Sequence, residues 1–443
     1  MAIVAPAPHP SRASYDAPPR CKPCGLQIMK AGRKLPRSTI SSVRVTSRSS
    51  LSSEIQLLLL TAAASPNDAA LRNVLSAGIN WQRLCALAAH EKAASVLLRQ
   101  LGRVGVDAGT SGYQDLRQLA TISVMQMLQL EQLLHQTVDI LAKQEIEVLL
   151  LKGAGLAYTA YSSFADRPMG DLDLLVRPQH ANRAWSLLQT RGWKLPEAQG
   201  GVDRFTGHHH LPPLFHESGA SRLEIHENLL PGEHPFVFST VAFWERAKRV
   251  TANGQVFIVP NSMHQLWHVC VHFAWSHAMQ WGSWRTLRDS AAIIRHGGFD
   301  WTEFASLARD TRAATCCFWT LRLTRSLAGA DVPDHVLASL RPPYPEFIIE
   351  RLERHFVSSL FPSEDRCPSV WVTRWLWEAG IAPRWSKHGA ARPWQVTERW
   401  MAGSGPAESE RAGGHTLAGW FRKIGAGAAY LLRVSRLSLP VNS

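Results

Sequence analysis

No apolar run in the 443 residues approaches the roughly eighteen that a membrane-crossing helix requires. Residues 1–25 lack an apolar stretch between a basic start and a small-residue cleavage site, so no secretory leader is expected. The seven cysteines (Cys21, Cys24, Cys85, Cys270, Cys316, Cys317 and Cys367) are odd in number and scattered, which excludes the disulfide framework of a small secreted domain. A soluble, cytoplasmic protein is the expectation. Cys21-Lys22-Pro23-Cys24 has the spacing of a metal or redox pair, but it lacks a second pair or a nearby histidine. No His-Glu-x-x-His segment of a zinc hydrolase occurs either.

Charge is also missing where nucleic-acid binding would need it. The net charge is +13, yet residues 1–50 carry nine Lys/Arg against Asp16 alone, and residues 381–443 carry nine against three acids. The stretch 51–380 is therefore close to neutral and offers no broad electrostatic footprint for a duplex. What is present is enough apolar content, 45%, for a folded core in a chain long enough for two or three domains.

Residues 1–50, rich in Pro, Ser and Arg, read as a disordered basic tail. From Leu51 to Lys143 apolar residues recur every three or four positions, as in Leu128, Leu130, Leu133, Leu134, Val138 and Leu141, which predicts a helical domain with one helix opening at Asn80-Trp81. An α/β core is expected over 144–260, a second helical domain over 261–365, and a variable basic extension over 366–443. Within the extension, the segment Trp420 to Leu437 mixes apolar and basic residues; it packs on the body or a partner, or else lies on an anionic membrane.

The core begins with a strand, Glu145 to Leu151, followed by Lys152-Gly153-Ala154-Gly155 and a helix from Leu156. The glycines permit a tight turn, and the helix N-terminus can face an anion. Next comes Arg167-Pro168-Met169-Gly170-Asp171-Leu172-Asp173-Leu174-Leu175-Val176. Strand alternation places Asp171 and Asp173 on one face and Leu172 and Leu174 on the other. Two acids on one face of an apolar strand call for a counter-charge, and a bound cation is the simplest. Pro178 fits a helix start, and the helix ends near Gly192. Two extended segments follow, His208 to Phe215, made an edge strand at best by Pro212-Pro213, and Arg222 to His226, which carries Glu224 toward the aspartates. Glu217 to Ala220 is a loop of hairpin length.

The Leu-Lys-Gly turn, the Asp-x-Asp strand and the later Leu223-Glu224-Ile225-His226, over roughly residues 51–365, resemble the uncharacterised nucleotidyltransferase family, a branch of the polymerase-β-like superfamily. That resemblance implies an α+β fold, a small mixed-sheet core flanked by N-terminal and C-terminal helical regions. It implies a metal-dependent transferase that moves a nucleoside monophosphate from an NTP to a hydroxyl or phosphate acceptor. Asp171, Asp173 and Glu224 would be the catalytic and metal-holding carboxylates, with two Mg²⁺ or Mn²⁺ ions expected. Lys152, Gly153 and Arg167 would contact the nucleotide, Lys152 standing where the superfamily has a second small residue beside the glycine. Arg167 either neutralises phosphate charge or braces its loop. The alternative is an inactive nucleotide-binding sensor or scaffold of the same fold.

Two histidine groups raise a zinc reading. His208-His209-His210, with His216 beyond, lie on an extended segment where only alternate members share a face. His264, His268 and His272 recur every four residues on a predicted helix and form one stripe, for which packing or substrate lining is the simpler role. His226 is expected to orient a carboxylate or pack on the sheet. Arg285, Arg288 and Asp289 either shape the acceptor pocket or form surface ion pairs.

Overall fold

The computed structural model describes residues 51–196, 205, 208–219, 221–230, 234–298, 300–362, 370–381 and 417–437. The basic tail expected over 1–50, with Cys21 and Cys24, lies outside them, as does most of the C-terminal extension.

Seven strands form one mixed sheet: β1 (Leu149–Leu150), β2 (Asp171–Leu175), β3 (Trp193–Lys194), β4 (Leu214–His216), β5 (Arg222–His226), β6 (Lys248–Ala252) and β7 (Gln255–Val259), in the order β3-β4-β5-β2-β1-β7-β6. The central β2 runs parallel to β5 and antiparallel to β1. Helices cover both faces, giving the α+β architecture implied by the resemblance.

Side-chain alternation sorts the core. Leu172 and Leu174 of β2, with Leu223 and Ile225 of β5, point to a core shared with Leu130, Leu134 and Leu141 of the long helix Ser111–Ala142 and with Ala181, Ala184 and Leu188 of the helix Pro178–Gln189. The opposite face meets a larger core built by the helices from Ser262 onward and by Ile55, Leu58 and Leu59. The first turns of the long helix, through Leu116 and Ala120, pack instead with Leu57, Leu84 and Leu97 of the N-terminal helices. That helix thereby ties the helical region to the sheet.

Local signals hold where they are short-range. Asn80 caps the helix Trp81–Glu91, its Oδ1 accepting from the Arg83 N–H, and Pro178 occupies the first turn of its helix. Three expectations are corrected. The helix after β1 begins at Lys152 and contains both glycines, and β1 is two residues long. The proline-containing segment is no edge strand: Pro212 and Pro213 precede β4, which lies between β3 and β5, so no proline interrupts the ladder. The predicted helix through His264, His268 and His272 is α-helical only to Val271, and a π-turn, His272–Ser276, follows.

Among the described residues no helix is long and apolar enough to cross a membrane. The C-terminal helix Leu417–Val434 docks on the body, Tyr430 being buried with its hydroxyl 2.8 Å from His355 Nδ1, while the Arg354 guanidinium donates to the Ser435 carbonyl.

Candidate functional site

The β2/β5 register sets Asp173 directly beside Glu224 and Asp171 beside Arg222. All four point to the face opposite Leu172, Leu174, Leu223 and Ile225, so the acids gather toward the helices from Ser262 onward and not toward the long helix. They floor a cavity of about 660 Å³ lined also by Lys152, Arg167, His268, His277, Arg285 and Asp289. Another cavity, of about 740 Å³, lies away from these groups beside Trp301 and Arg295 and gathers no comparable set of titratable side chains.

Asp173 is 3% exposed and Glu224 4%. Lys152 Nζ donates to Asp173 Oδ1 at 2.8 Å, and His226 Nε2 lies 2.8 Å from the same oxygen and 3.4 Å from Glu224 Oε2. Burial by itself would raise the Asp173 pKa, but the adjacent Lys152 charge and the His226 contact outweigh it and hold the carboxyl well below the usual range. Glu224 is further paired to the Arg222 guanidinium. Single donor atoms of Asp173, Glu224 and His226 all lie within 4.8 Å of one another, a grouping that fits one cation, and the Asp171 carboxylate stands outside it.

Lys152 reaches this floor from a φ of 46°, the left-handed region that residues with a Cβ seldom adopt. The strain places its ammonium over β2 while the Leu151 N–H donates to the Asp173 carbonyl. Glycine is required three residues on for a different reason: a Cβ on Gly155 would stand 2.5 Å from the Leu150 carbonyl oxygen. At Gly153, a Cβ would press on Met169 and the Arg167 guanidinium at 3.1–3.3 Å.

Arg167 is committed elsewhere. Its guanidinium donates to Asp289 through Nε at 2.6 Å and Nη2 at 2.7 Å and to the Pro168 carbonyl through Nη1, while the Tyr161 hydroxyl donates to the same Asp289. Burial opposes the charge, but Asp289 outweighs it and raises the Arg167 pKa. The bracing role, which the sequence left open, is thus visible, and Asp289 is a buried anchor, not a surface ion pair.

The residue that sequence reasoning missed, Lys92, comes from a distant helix end. Lys92, at a left-handed helix C-cap (φ 58°), extends over Gly170, where any Cβ would collide with its ammonium. Burial and the neighbouring Arg285 and Arg167 lower the Lys92 pKa, and Asp171 opposes them. Arg285 donates to the Glu91 carbonyl, and its pKa is likewise lowered by burial. Asp171 therefore faces a collar of three cations. The only local hint was the glycine before the first aspartate.

The histidines divide unexpectedly. His264 stacks on Phe243, away from the cavity, whereas His268 and His272 line it. Because their segment is bent, neighbours His209 and His210 both approach His226, with ring centroids at 5.2 and 5.3 Å, contrary to the expected alternation. Burial keeps them neutral, pushing His210 down to about 4 and His268 to about 3. His216 is on the far side, against Trp193.

A parallel strand pair bearing buried carboxylates beside a strand-turn-helix is the arrangement that the sequence resemblance implied. No curated protein and no solved structure matches the chain. The family model described as "Uncharacterised nucleotidyltransferase" matches residues 77–329, more than half of the chain and all seven strands, and the chain belongs to that family.

Proposed function

We propose that the protein is a metal-dependent nucleotidyltransferase that moves a nucleoside monophosphate from an NTP to a hydroxyl or phosphate acceptor and releases pyrophosphate. The observation that carries this reading is the Asp173–Glu224 pair, adjacent in register and buried at the base of a cavity whose rim is cationic. An acid pair below a cationic collar suits a triphosphate, with the collar binding the anion and the acids serving the reacting end.

Family membership makes a divalent ion the expected cofactor, Mg²⁺ or Mn²⁺. The donors fit, since Asp173, Glu224 and His226 converge, and Asp171 supplies a further carboxylate for a second ion. Bound there, the metal supplies charge neutralisation on the triphosphate and lowers the pKa of the attacking hydroxyl. The rest falls to the chain. Lys92, Lys152 and Arg285 hold phosphate oxygens; Arg167, clamped by Asp289, fixes the loop before β2; and Gly153, beside Lys152 on the cavity wall, leaves room for Met169 and the Arg167 guanidinium. The acceptor oxygen forms its bond to the α-phosphorus, the bond from that phosphorus to the bridging oxygen breaks, and pyrophosphate takes the electron pair. The acceptor's proton is released to water.

One observation favours a second reading, an inactive nucleotide sensor: Lys152 and His226 already satisfy Asp173 without any metal. Pyrophosphate release from each of the four NTPs, with Mg²⁺ or Mn²⁺ and clarified cell metabolites as acceptors, separates the two. Release that is lost in Asp171→Ala/Asp173→Ala supports transfer. Nucleotide binding without release supports the sensor.

A further inference from the structure

The floor of the cavity differs from an all-oxygen magnesium site in one respect. Its third converging donor is an imidazole nitrogen, on a side chain that is completely buried.

Ligands bonded to one divalent ion at about 2.1 Å and at right angles to each other stand about 3 Å apart. His226 Nε2 lies 2.8 Å from Asp173 Oδ1 and 3.4 Å from Glu224 Oε2, which bracket that spacing. His210 Nε2 is a further nitrogen 4.0 Å from Glu224 Oε2. Independently, His268 is 3% exposed and lines the same cavity, and its Nε2 has no hydrogen-bond partner, a buried polar atom that a ligand would satisfy.

We propose that the cation of this site is bound through nitrogen as well as oxygen, by Asp173, Glu224 and His226 with Asp171 outside the set, and is therefore a borderline transition ion of the Mn²⁺, Fe²⁺, Co²⁺ or Zn²⁺ class in preference to Mg²⁺. Magnesium favours hard oxygen ligands, whereas imidazole shifts selectivity toward the later ions. The inference deepens the nucleotidyl-transfer reading, on which it rests for the purpose of the cation but not for its coordination. The competing account of the same 2.8 Å contact is that His226 only donates a hydrogen bond and orients Asp173.

Mn²⁺ is the probe, titrated into the full chain without nucleotide and followed by electron paramagnetic resonance. Pulsed spectra of wild-type protein are expected to show coupling to a directly bound nitrogen that changes when histidine is labelled with ¹⁵N. His226→Gln should lose that coupling and bind Mn²⁺ at least about tenfold more weakly, whereas Asp171→Asn should keep the coupling. Mg²⁺ should displace Mn²⁺ only in roughly tenfold excess or more. Mn²⁺ bound without nitrogen coupling, coupling that survives in His226→Gln, or no Mn²⁺ binding would each overturn the proposal. The labelling arm uses unmutated protein, so a misfolded His226→Gln leaves the test intact. Nitrogen coupling without pyrophosphate release from any NTP would retain this coordination and reject transfer; release with an all-oxygen site would do the reverse.

Discussion

Asp171 and Asp173 sit two residues apart on the same face of one strand, yet the regions around them are built by different means. Asp173 belongs to the floor, where Glu224 is its register partner and Lys152 and His226 complete a compact polar knot from neighbouring segments. Asp171 belongs to the rim, where Lys92 and Arg285 come from helices Trp81–Glu91 and Ser283–His296, and Arg167 is held by Asp289, 122 residues away. The floor is a consequence of strand alternation and ladder register. The rim exists only once the helices have packed. On the proposed reading, the reacting end thus rests on paired strands, and anion capture on side chains supplied by separate helices.

The largest separation should come from removing the floor. Asp173→Ala is expected to lower pyrophosphate release about 10³-fold, the scale of losing a preorganised electrostatic group, whereas Lys92→Met should cost roughly tenfold, mainly as weaker NTP binding. Steady-state kcat and KM for the two variants check this, and equal losses in kcat would erase the distinction between floor and rim.

The buried Arg167–Asp289 pair tests the brace. Asp289→Ala leaves a buried guanidinium without its partner, and a loss of about 3 kcal/mol in urea unfolding is expected. An unchanged midpoint would mean that the loop before β2 does not depend on this pair.

Two glycines sharpen the contrast at smaller scale. Gly155→Ala drives a Cβ against the Leu150 carbonyl, which cannot yield, and should destabilise by about 1–3 kcal/mol. Gly170→Ala meets only the flexible end of Lys92, so stability should stay within about 0.5 kcal/mol while NTP affinity falls as the ammonium is displaced. Thermal unfolding together with nucleotide titration distinguishes them; the reverse ranking would contradict this geometry.

The pH response should be gradual. Burial depresses His264 and His277 to about 4 and His355 to about 3. Unfolded histidine titrates near about 6.5, so below that pH the unfolded chain takes up protons first. Stability is therefore full above about pH 6.5 and declines toward pH 4, on the order of 1 kcal/mol per pH unit for each histidine. Asp173, with its depressed pKa, adds a loss in the same direction once pH falls below about 4. Urea midpoints at pH 7.5 and pH 5 measure the histidine part, and a flat profile would show that these side chains are not held neutral.

Most of the floor was legible in sequence because it obeys a period of two: Asp173 and Glu224, with Asp171 of the rim, fell on the expected face, and the helix starts at Asn80 and Pro178 are equally local. His226 was legible as a carboxylate's neighbour, but its convergence with Glu224 depends on the pairing of β5 with β2. The collar was legible only in part, since Arg167 and Arg285 stood out as candidates and Lys92 did not. Nothing near Lys92 signals Gly170, and nothing near Arg167 signals Asp289, since both contacts are fixed by helix packing. The departure of His264 from His268 and His272 likewise escaped a regular four-residue count, and Lys152 adopts a backbone conformation for which a lysine gives no warning.

The most direct measurement is to supply each NTP in parallel with ³²P at the α or the γ position, with Mn²⁺ and clarified cell metabolites, to wild-type protein and to Asp173→Ala. The account predicts that α label appears on an acceptor and γ label leaves as pyrophosphate, both only in wild type. Transfer of γ label to an acceptor, or bound nucleotide with neither label transferred, would contradict it.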